Sequence, residues 1–239
     1  MLLNIDIKQL EWLCAVFLSK DEVGYDEIRS GIDIHSNNQE RFGLPARVVA
    51  KVFLFRHIFG GSAYAYATDP DFAHVSRSER FWQRVIDAAD QKYSGLTDWH
   101  VRIVQEVSRT GYLNVCTGRR YKFFREHGEV PKTKVYNYPV QGLGHDLTAI
   151  LRVSLRNRLN HLTEARKYVN MVSSVHDSIL LDLASQVYPL VQFALREAVR
   201  SVPQNFQRLF GVPLDLPFRV EVQQGPNWGN MTEVNIDAN

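Results

Sequence analysis

Two aspartates interrupt apolar runs far apart in the sequence. Asp6 follows Leu2-Leu3-Asn4-Ile5, and Asp177 lies within Val175-His176-Asp177-Ser178-Ile179-Leu180. An ionised carboxylate in such a run is costly unless a cation or a charge partner compensates it. That requirement narrows the folds open to the chain more than any other feature, because each aspartate has to stand at a strand edge where compensation can reach it. Read singly, each is more simply a turn residue at a strand end. Read together, they are the pair a two-metal site uses, carboxylates bridging ions roughly 3.5–4 Å apart.

Around them, helices and short strands are segregated rather than alternating, which favours an α+β fold over a doubly wound sheet. Residues 3–7 read as a strand, 8–18 carry apolar side chains at helical spacing, and 21–38 are polar and turn-rich. A helix is expected from about Pro45, which suits a first turn, to Phe59, with Gly60-Gly61 ending it. Two more helices fill 78–110 with a break at Tyr93-Ser94-Gly95, and a hairpin covers 111–125. Leu147, Leu151, Leu155, Leu159 and Leu162 mark the stripe of a long helix over 140–168. A hairpin over 169–183, a helix from about Gln186 to Val202 and a strand over 218–222 follow.

The 239 residues make one large domain or two small ones, and 45% hydrophobic with 23% charged residues excludes disordered and collagen-like classes. No apolar run nears the ~18 residues of a spanning helix, and Asp6 and Lys8 fall where a signal peptide needs its apolar core. A cytoplasmic protein with no membrane partner is expected. Cys14 and Cys116 form no CxxC pair and no disulfide framework. The net charge of +2 names no partner, but its distribution does. Residues 113–135 set Arg119, Arg120, Lys122, Arg125, Lys132 and Lys134 against Glu126 and Glu129. Residues 147–170 set Arg152, Arg156, Arg158, Arg166 and Lys167 against Glu164 alone. Two basic segments on a near-neutral chain suggest a side that faces a polyanion.

Within the helix after Pro45, Arg47, Lys51, Phe55 and Phe59 are spaced by four and share one slowly turning face. Two cations followed by two aromatics suit a triphosphate followed by a flat base. On spacing alone, an amphipathic helix with a polar end is the plainer reading.

Several of these segments resemble, in order, the motifs of the family A (DNA polymerase I-like) DNA polymerases. Asp6-Ile7-Lys8-Gln9-Leu10-Glu11 is similar to the first palm motif, and Arg47…Lys51…Phe55…Phe59-Gly60 to the fingers helix. Val175-His176-Asp177-Ser178 is similar to the Val-His-Asp-Glu motif. Asp33-Ile34-His35, Tyr93-Ser94-Gly95-Leu96, Thr117-Gly118-Arg119-Arg120, Asn137-x-Pro139-x-Gln141-Gly142-x3-Asp146 and Gly225-x-Asn227-Trp228 resemble further landmarks.

The resemblance implies a helical fingers subdomain over 19–134 inserted in an antiparallel-sheet palm made of 1–18 and 135–239. It implies DNA-directed DNA synthesis, adding dNTPs to a primer 3′ end with release of pyrophosphate. Asp6 and Asp177, with the Ile7 backbone carbonyl, would hold two Mg²⁺ ions. Arg47 and Lys51 would grip the triphosphate, with Lys51 as general acid for pyrophosphate. Glu11, preceded by Gln9 in the dNTP site, would be the steric gate against a ribose 2′-hydroxyl, and Phe55 would stack near the incoming sugar. Phe59 and Gly60 would lie by the templating base, Asn137, Gln141 and His176 by the primer–template duplex, and Arg119, Arg120, Arg152 and Arg156 along its phosphates.

The chain departs from the family pattern at several positions. Ser178 stands where an acidic residue is usual, Phe59 replaces Tyr, Lys8 replaces Ser, Leu13 stands where many members carry Arg, and His145 takes a small-residue site. The family's thumb, upstream palm and exonuclease precede the first motif, and five residues precede Asp6 here. The expectation is therefore a second polypeptide supplying thumb and N-terminal palm, with or without an exonuclease, as in a split polymerase of phage type acting in the host cytoplasm. A catalytically silent DNA-binding or assembly subunit that keeps the fold, and a single-subunit RNA polymerase, are the alternatives; Gln9-Leu10-Glu11 argues against the latter.

Overall fold

A computed structural model describes residues 1–163 and 165–236. The chain forms two compact units, one of residues 1–10 with the chain from 142 onward, the other of residues 11–141.

The first unit is built on a five-stranded antiparallel sheet of order β4-β5-β1-β6-β7. Its strands are β1 (Leu2–Ile7), β4 (Val169–Val175), β5 (Ser178–Leu183), β6 (Val220–Gly225) and β7 (Thr232–Val234). β1 is the middle strand, and its alternation decides its two faces. Leu3, Ile5 and Ile7 are at most 1% exposed, whereas Leu2, Asn4 and Asp6 point the other way. Ile5 sits between Ile179 and Val222, so three apolar side chains line up across the core face. Removing methyl groups there, as in Ile5→Ala, costs about 2–5 kcal/mol.

Two long helices serve this unit, α8 (Lys132–His161) from Gly142 onward and α9 (Tyr188–Phe210). In α8, Leu143, Leu147, Leu151 and Leu155 are buried at helical spacing; in α9, Val191, Leu195, Ala198, Val202 and Phe206 are. Both helices run past a proline, Pro139 and Pro203. The expected spans had limits at 140 and 202, whereas the helices run past both prolines even though proline removes an intrahelical donor and crowds the preceding turn. The buried stripes continue through both positions and carry the helices with them. α8 ends at His161 rather than 168, because a short 3₁₀ turn, Arg166–Tyr168, leads into β4. The expected hairpin over 169–183 is β4–β5, and β7 was not anticipated.

The second unit is helical: α1 (Leu10–Ser19, from Glu11), α2 (Glu22–Ser30), α3 (Ile34–Phe42), α4 (Arg47–Ile58), α5 (Ala63–Thr68), α6 (Glu79–Lys92), α7 (Ser94–Thr110) and the start of α8. A small hairpin, β2 (Tyr112–Asn114) with β3 (Arg120–Lys122), follows α7 as the glycines of that stretch indicate. The turn-rich reading of 21–38 is corrected: it holds two helices. Asp21 and Asp33, which read as turn residues, are N-caps. Asp21 accepts from Gly24 N at 2.8 Å, and Asp33 from His35 N at 3.1 Å. Gly31 and Gly43 close the two helices in left-handed conformations. Pro45 lies outside α4, one residue before the N-cap Ala46. α5 was not anticipated.

Aromatic rings fill this unit's core, with Phe53 stacked on Trp82 and Trp12 edge-on to Tyr93 at 4.8 Å between ring centroids. A buried polar cluster ties three of its helices and the junction between α6 and α7. Lys92 Nζ lies 2.6 Å from Glu27 Oε1 and donates to Asn38 Oδ1 at 2.6 Å, and Tyr93 OH donates to Glu27 Oε2 at 2.9 Å. Burial and the neighbouring Glu27 charge hold the Tyr93 hydroxyl far above its usual range, so it stays a donor. The unit starts at Glu11 and ends at Gln141, and Gln141 Nε2 donates to Glu11 Oε1.

Candidate active site

In the first unit, Asp6 is the last outward-facing residue of β1, paired across the sheet with Ser178 on one side and Glu221 on the other. Asp177 occupies the second place of the two-residue loop joining β4 to β5, and Ile7 N donates to its carbonyl at 3.1 Å. The fold thus brings the two aspartates to neighbouring positions at one end of the β1–β5 pair. Asp177 is a turn residue, as one reading of it alone held, and it is also next to Asp6.

The backbone flanking both aspartates is strained. His176 has φ 53° in the hairpin loop, and Gln9 has φ 52° in the turn from β1 to α1. A positive φ at the first loop residue is what a tight hairpin demands, and glycine would adopt it without the left-handed penalty of roughly 1–2 kcal/mol. Beside Asp6, Lys8 Nζ pairs with Glu221 Oε1 at 3.0 Å. Ser178 Oγ donates to Val175 O at 3.0 Å, closing the loop that carries Asp177.

Among the described residues, no three His, Cys, Asp or Glu side chains group as a metal cage. Two neighbouring carboxylates still suit Mg²⁺, which keeps several waters and takes one or two carboxylates plus substrate phosphates. The donors present therefore fit a metal that arrives with its substrate.

In the second unit, α4 carries Arg47, Lys51 and Phe55 along one face. Its N-cap, Ala46, makes no side-chain cap, so no side chain of that residue satisfies the N–H groups of the first turn, and Arg47 and Lys51 stand at the same end. Arg47 is held by Asp33, Nε to Oδ2 at 2.7 Å and Nη2 to Oδ1 at 3.1 Å. The guanidinium keeps the Asp33 carboxyl well below the usual carboxylate range. His35, in the first turn of α3, is 3% exposed, and its Nδ1 has no hydrogen-bond partner. Burial first, then the Arg47 and Lys51 charges, push its pKa down to about 4, so it is neutral at pH 7. Its ring lies 6.0 Å from that of Phe55, and Lys51 Nζ lies 6.0 Å from the Phe55 ring centre. His35 was visible in Asp33-Ile34-His35, but a buried histidine beside two cations shows only once α3 and α4 are packed.

Phe59 caps the C-terminus of α4, and Gly60 follows at φ +81°. A Cβ at Gly60 would lie 2.8 Å from the Tyr136 ring, so the end of α4 requires glycine. Asn137 and Gln141 lie on the early turns of α8, and Arg119 and Arg120 are exposed on the β2–β3 hairpin. Arg120 donates to Asn114 Oδ1 at 2.9 Å. Arg152 and Arg156, one turn apart on α8, belong to the first unit, and His176 is exposed there.

The family model for DNA polymerase family A matches residues 1–230. DNA polymerase I of Mycobacterium leprae is 25% identical over 242 residues, covering 95% of this chain and 25% of the relative. The thermostable DNA polymerase I of Thermus filiformis is 28% identical over 242 residues, covering 95% and 27%. The chain thus spans about a quarter of these relatives' length. The fold matches the POL domain of Pol1 from M. smegmatis, solved in complex with DNA primer-template and dNTP, with TM-score 0.79 and 21% identity, over 95% of this chain and 40% of that one. No helix among the described residues is long and apolar enough to cross a membrane. With the motifs in order and an α+β fold of that type, the chain belongs to DNA polymerase family A.

Proposed function

We propose that this chain carries the chemistry of a DNA-directed DNA polymerase, adding dNTPs to a primer 3′ end. The observation that carries the reading is the placement of Asp6 and Asp177, distant in sequence, at adjoining strand positions. In this reading residues 1–18 and 135–239 form the palm and 19–134 the fingers. Asp6, Asp177 and the Ile7 carbonyl hold two Mg²⁺ ions, whose charge lowers the pKa of the primer hydroxyl and neutralises the triphosphate when bound.

The remaining contacts with the nucleotide are made by this chain's own groups. Arg47, Lys51 and the uncapped first turn of α4 bind the triphosphate, and neutral His35 offers a further polar edge there. Arg47 is drawn between Asp33 and the phosphates. Lys51 delivers a proton to the departing pyrophosphate. Phe55 packs beside the incoming sugar, with Gln9 and Glu11 completing the dNTP site and Glu11 excluding a 2′-hydroxyl. Phe59 and Gly60 serve the templating base. Asn137, Gln141 and His176 contact the duplex, and Arg119, Arg120, Arg152 and Arg156 its phosphates. A separate polypeptide supplies thumb and N-terminal palm. Among the described residues β4 is an edge strand and its Val172 and Val175 are half exposed, which supports a further element packing there.

Primer extension with Mg²⁺ and dNTPs, by the chain alone and with a thumb-bearing polypeptide, tests this beside Asp177→Ala. Incorporation that disappears in the variant is expected. A folded chain that binds duplex DNA and incorporates nothing in either mixture would identify a silent subunit instead, favoured in that case by Ser178 standing where the family carries an acid.

A further inference from the structure

Resting on the reading of Glu11 as the gate against ribonucleotides, we infer that Gln141 is the positioning residue that holds that gate. Glu11 lies in the first turn of α1, half-buried, with three rotatable bonds between backbone and carboxylate. A side chain excludes a 2′-hydroxyl only while it stays in one place, since a mobile carboxylate swings aside at little cost. The hydrogen bond from Gln141 Nε2 to Glu11 Oε1 joins residues 130 apart in sequence. It fixes one carboxylate oxygen from a second helix.

The backbone of Gln141 is well held for this. It stands two residues after Pro139, which is buried inside α8, so its backbone is anchored. Loss of the Gln141 amide therefore loosens the gate without removing it, and the selectivity for deoxyribose falls.

The test is single-nucleotide insertion with dNTP and rNTP by the wild type, Glu11→Ala, Gln141→Leu, Gln141→Glu and Glu11→Ala/Gln141→Leu. Gln141→Leu should lower the dNTP-over-rNTP ratio of kcat/KM at least tenfold, through a lower KM for rNTP. Gln141→Glu, which sets a like charge against Glu11, should lower it further. The double variant should be no less selective than Glu11→Ala alone. A Gln141→Leu enzyme whose two kcat/KM values fall together, ratio unchanged, overturns the inference and leaves Gln141 a DNA contact. If Glu11→Ala itself keeps the ratio, it is the gate reading that fails. A second measurement needs no activity: the Tm shifts of the two single variants and the double should be non-additive. Additive shifts mean that the side chains do not interact, which also overturns the inference.

Discussion

Removing the cation from the buried Glu27–Lys92–Asn38–Tyr93 cluster should destabilise the helical unit severely. The Lys92 and Glu27 side chains are 5% and 6% exposed and their charged atoms are 2.6 Å apart. Lys92→Met strips the carboxylate of its counter-ion and Asn38 of a charged donor, worth about 1.5–3 kcal/mol on its own. Breaking one side of such a pair costs about 3–5 kcal/mol, because an uncompensated charge is left in a dry place. At roughly 2–4 °C per kcal/mol for a chain of this size, the melting temperature should fall by about 10 °C. Lys92→Met/Glu27→Gln removes both charges and should recover at least half of that loss, since the amide oxygen introduced at position 27 still accepts from Tyr93. Urea denaturation followed by tryptophan fluorescence is the assay: Trp12, Trp82 and Trp99 all lie in this unit, and Trp12 packs on Tyr93 itself. A Lys92→Met cost below about 1 kcal/mol, the value of an exposed pair, would refute the reasoning, as would a double variant no more stable than Lys92→Met.

Three further outcomes are expected. His35 and His100 are both pushed down to about 4 by burial, from 6.5, so between those values the unfolded chain binds protons that the folded one does not. Stability should therefore fall as pH drops from about 6.5 to 4, and His35→Gln or His100→Gln should flatten the fall; urea midpoints across that range check it. Phe55 lacks a hydroxyl near the incoming sugar, so dideoxynucleotides should be disfavoured, and equal incorporation of ddNTP and dNTP in a primer-extension competition would contradict this. Arg152→Ala or Arg156→Ala should weaken duplex binding at any sequence and reduce the slope of log K against log salt by about 1, read from a salt titration of DNA affinity.

What the sequence disclosed follows from which signals are local. The alternation in β1 and the leucine stripe of α8 are written in neighbouring residues, and the hairpin around Asp177 shows as two apolar runs about a short break. The caps Asp21 and Asp33 misled because an aspartate bonded to a backbone N–H two or three residues on reads alike in a turn and at a helix start. Pro139 and Pro203 sit inside helices because a rule about isolated helices gives way where burial on both sides holds the helix together. In the site, Arg47, Lys51 and Phe55 could be aligned by counting fours. The Asp33 clamp on Arg47, the solitary Nδ1 of His35 and the tie between Gln141 and Glu11 depend on separate helices meeting, for which the sequence contains no spacing to count.

The helical unit leaves and rejoins the sheet-bearing part of the chain at residues that touch each other, Glu11 and Gln141. A segment whose ends meet behaves as a cassette. The entropy of closing a loop grows only with the logarithm of its length, so spanning these ends with ~130 residues instead of ~10 costs only about 2 kcal/mol more. Insertions, deletions or wholesale exchange of this cassette are therefore nearly free for the sheet that holds Asp6 and Asp177, provided that the two ends still meet. Such a layout lets the helical unit change in evolution, or in the laboratory, without rebuilding the end of the sheet that carries the two carboxylates.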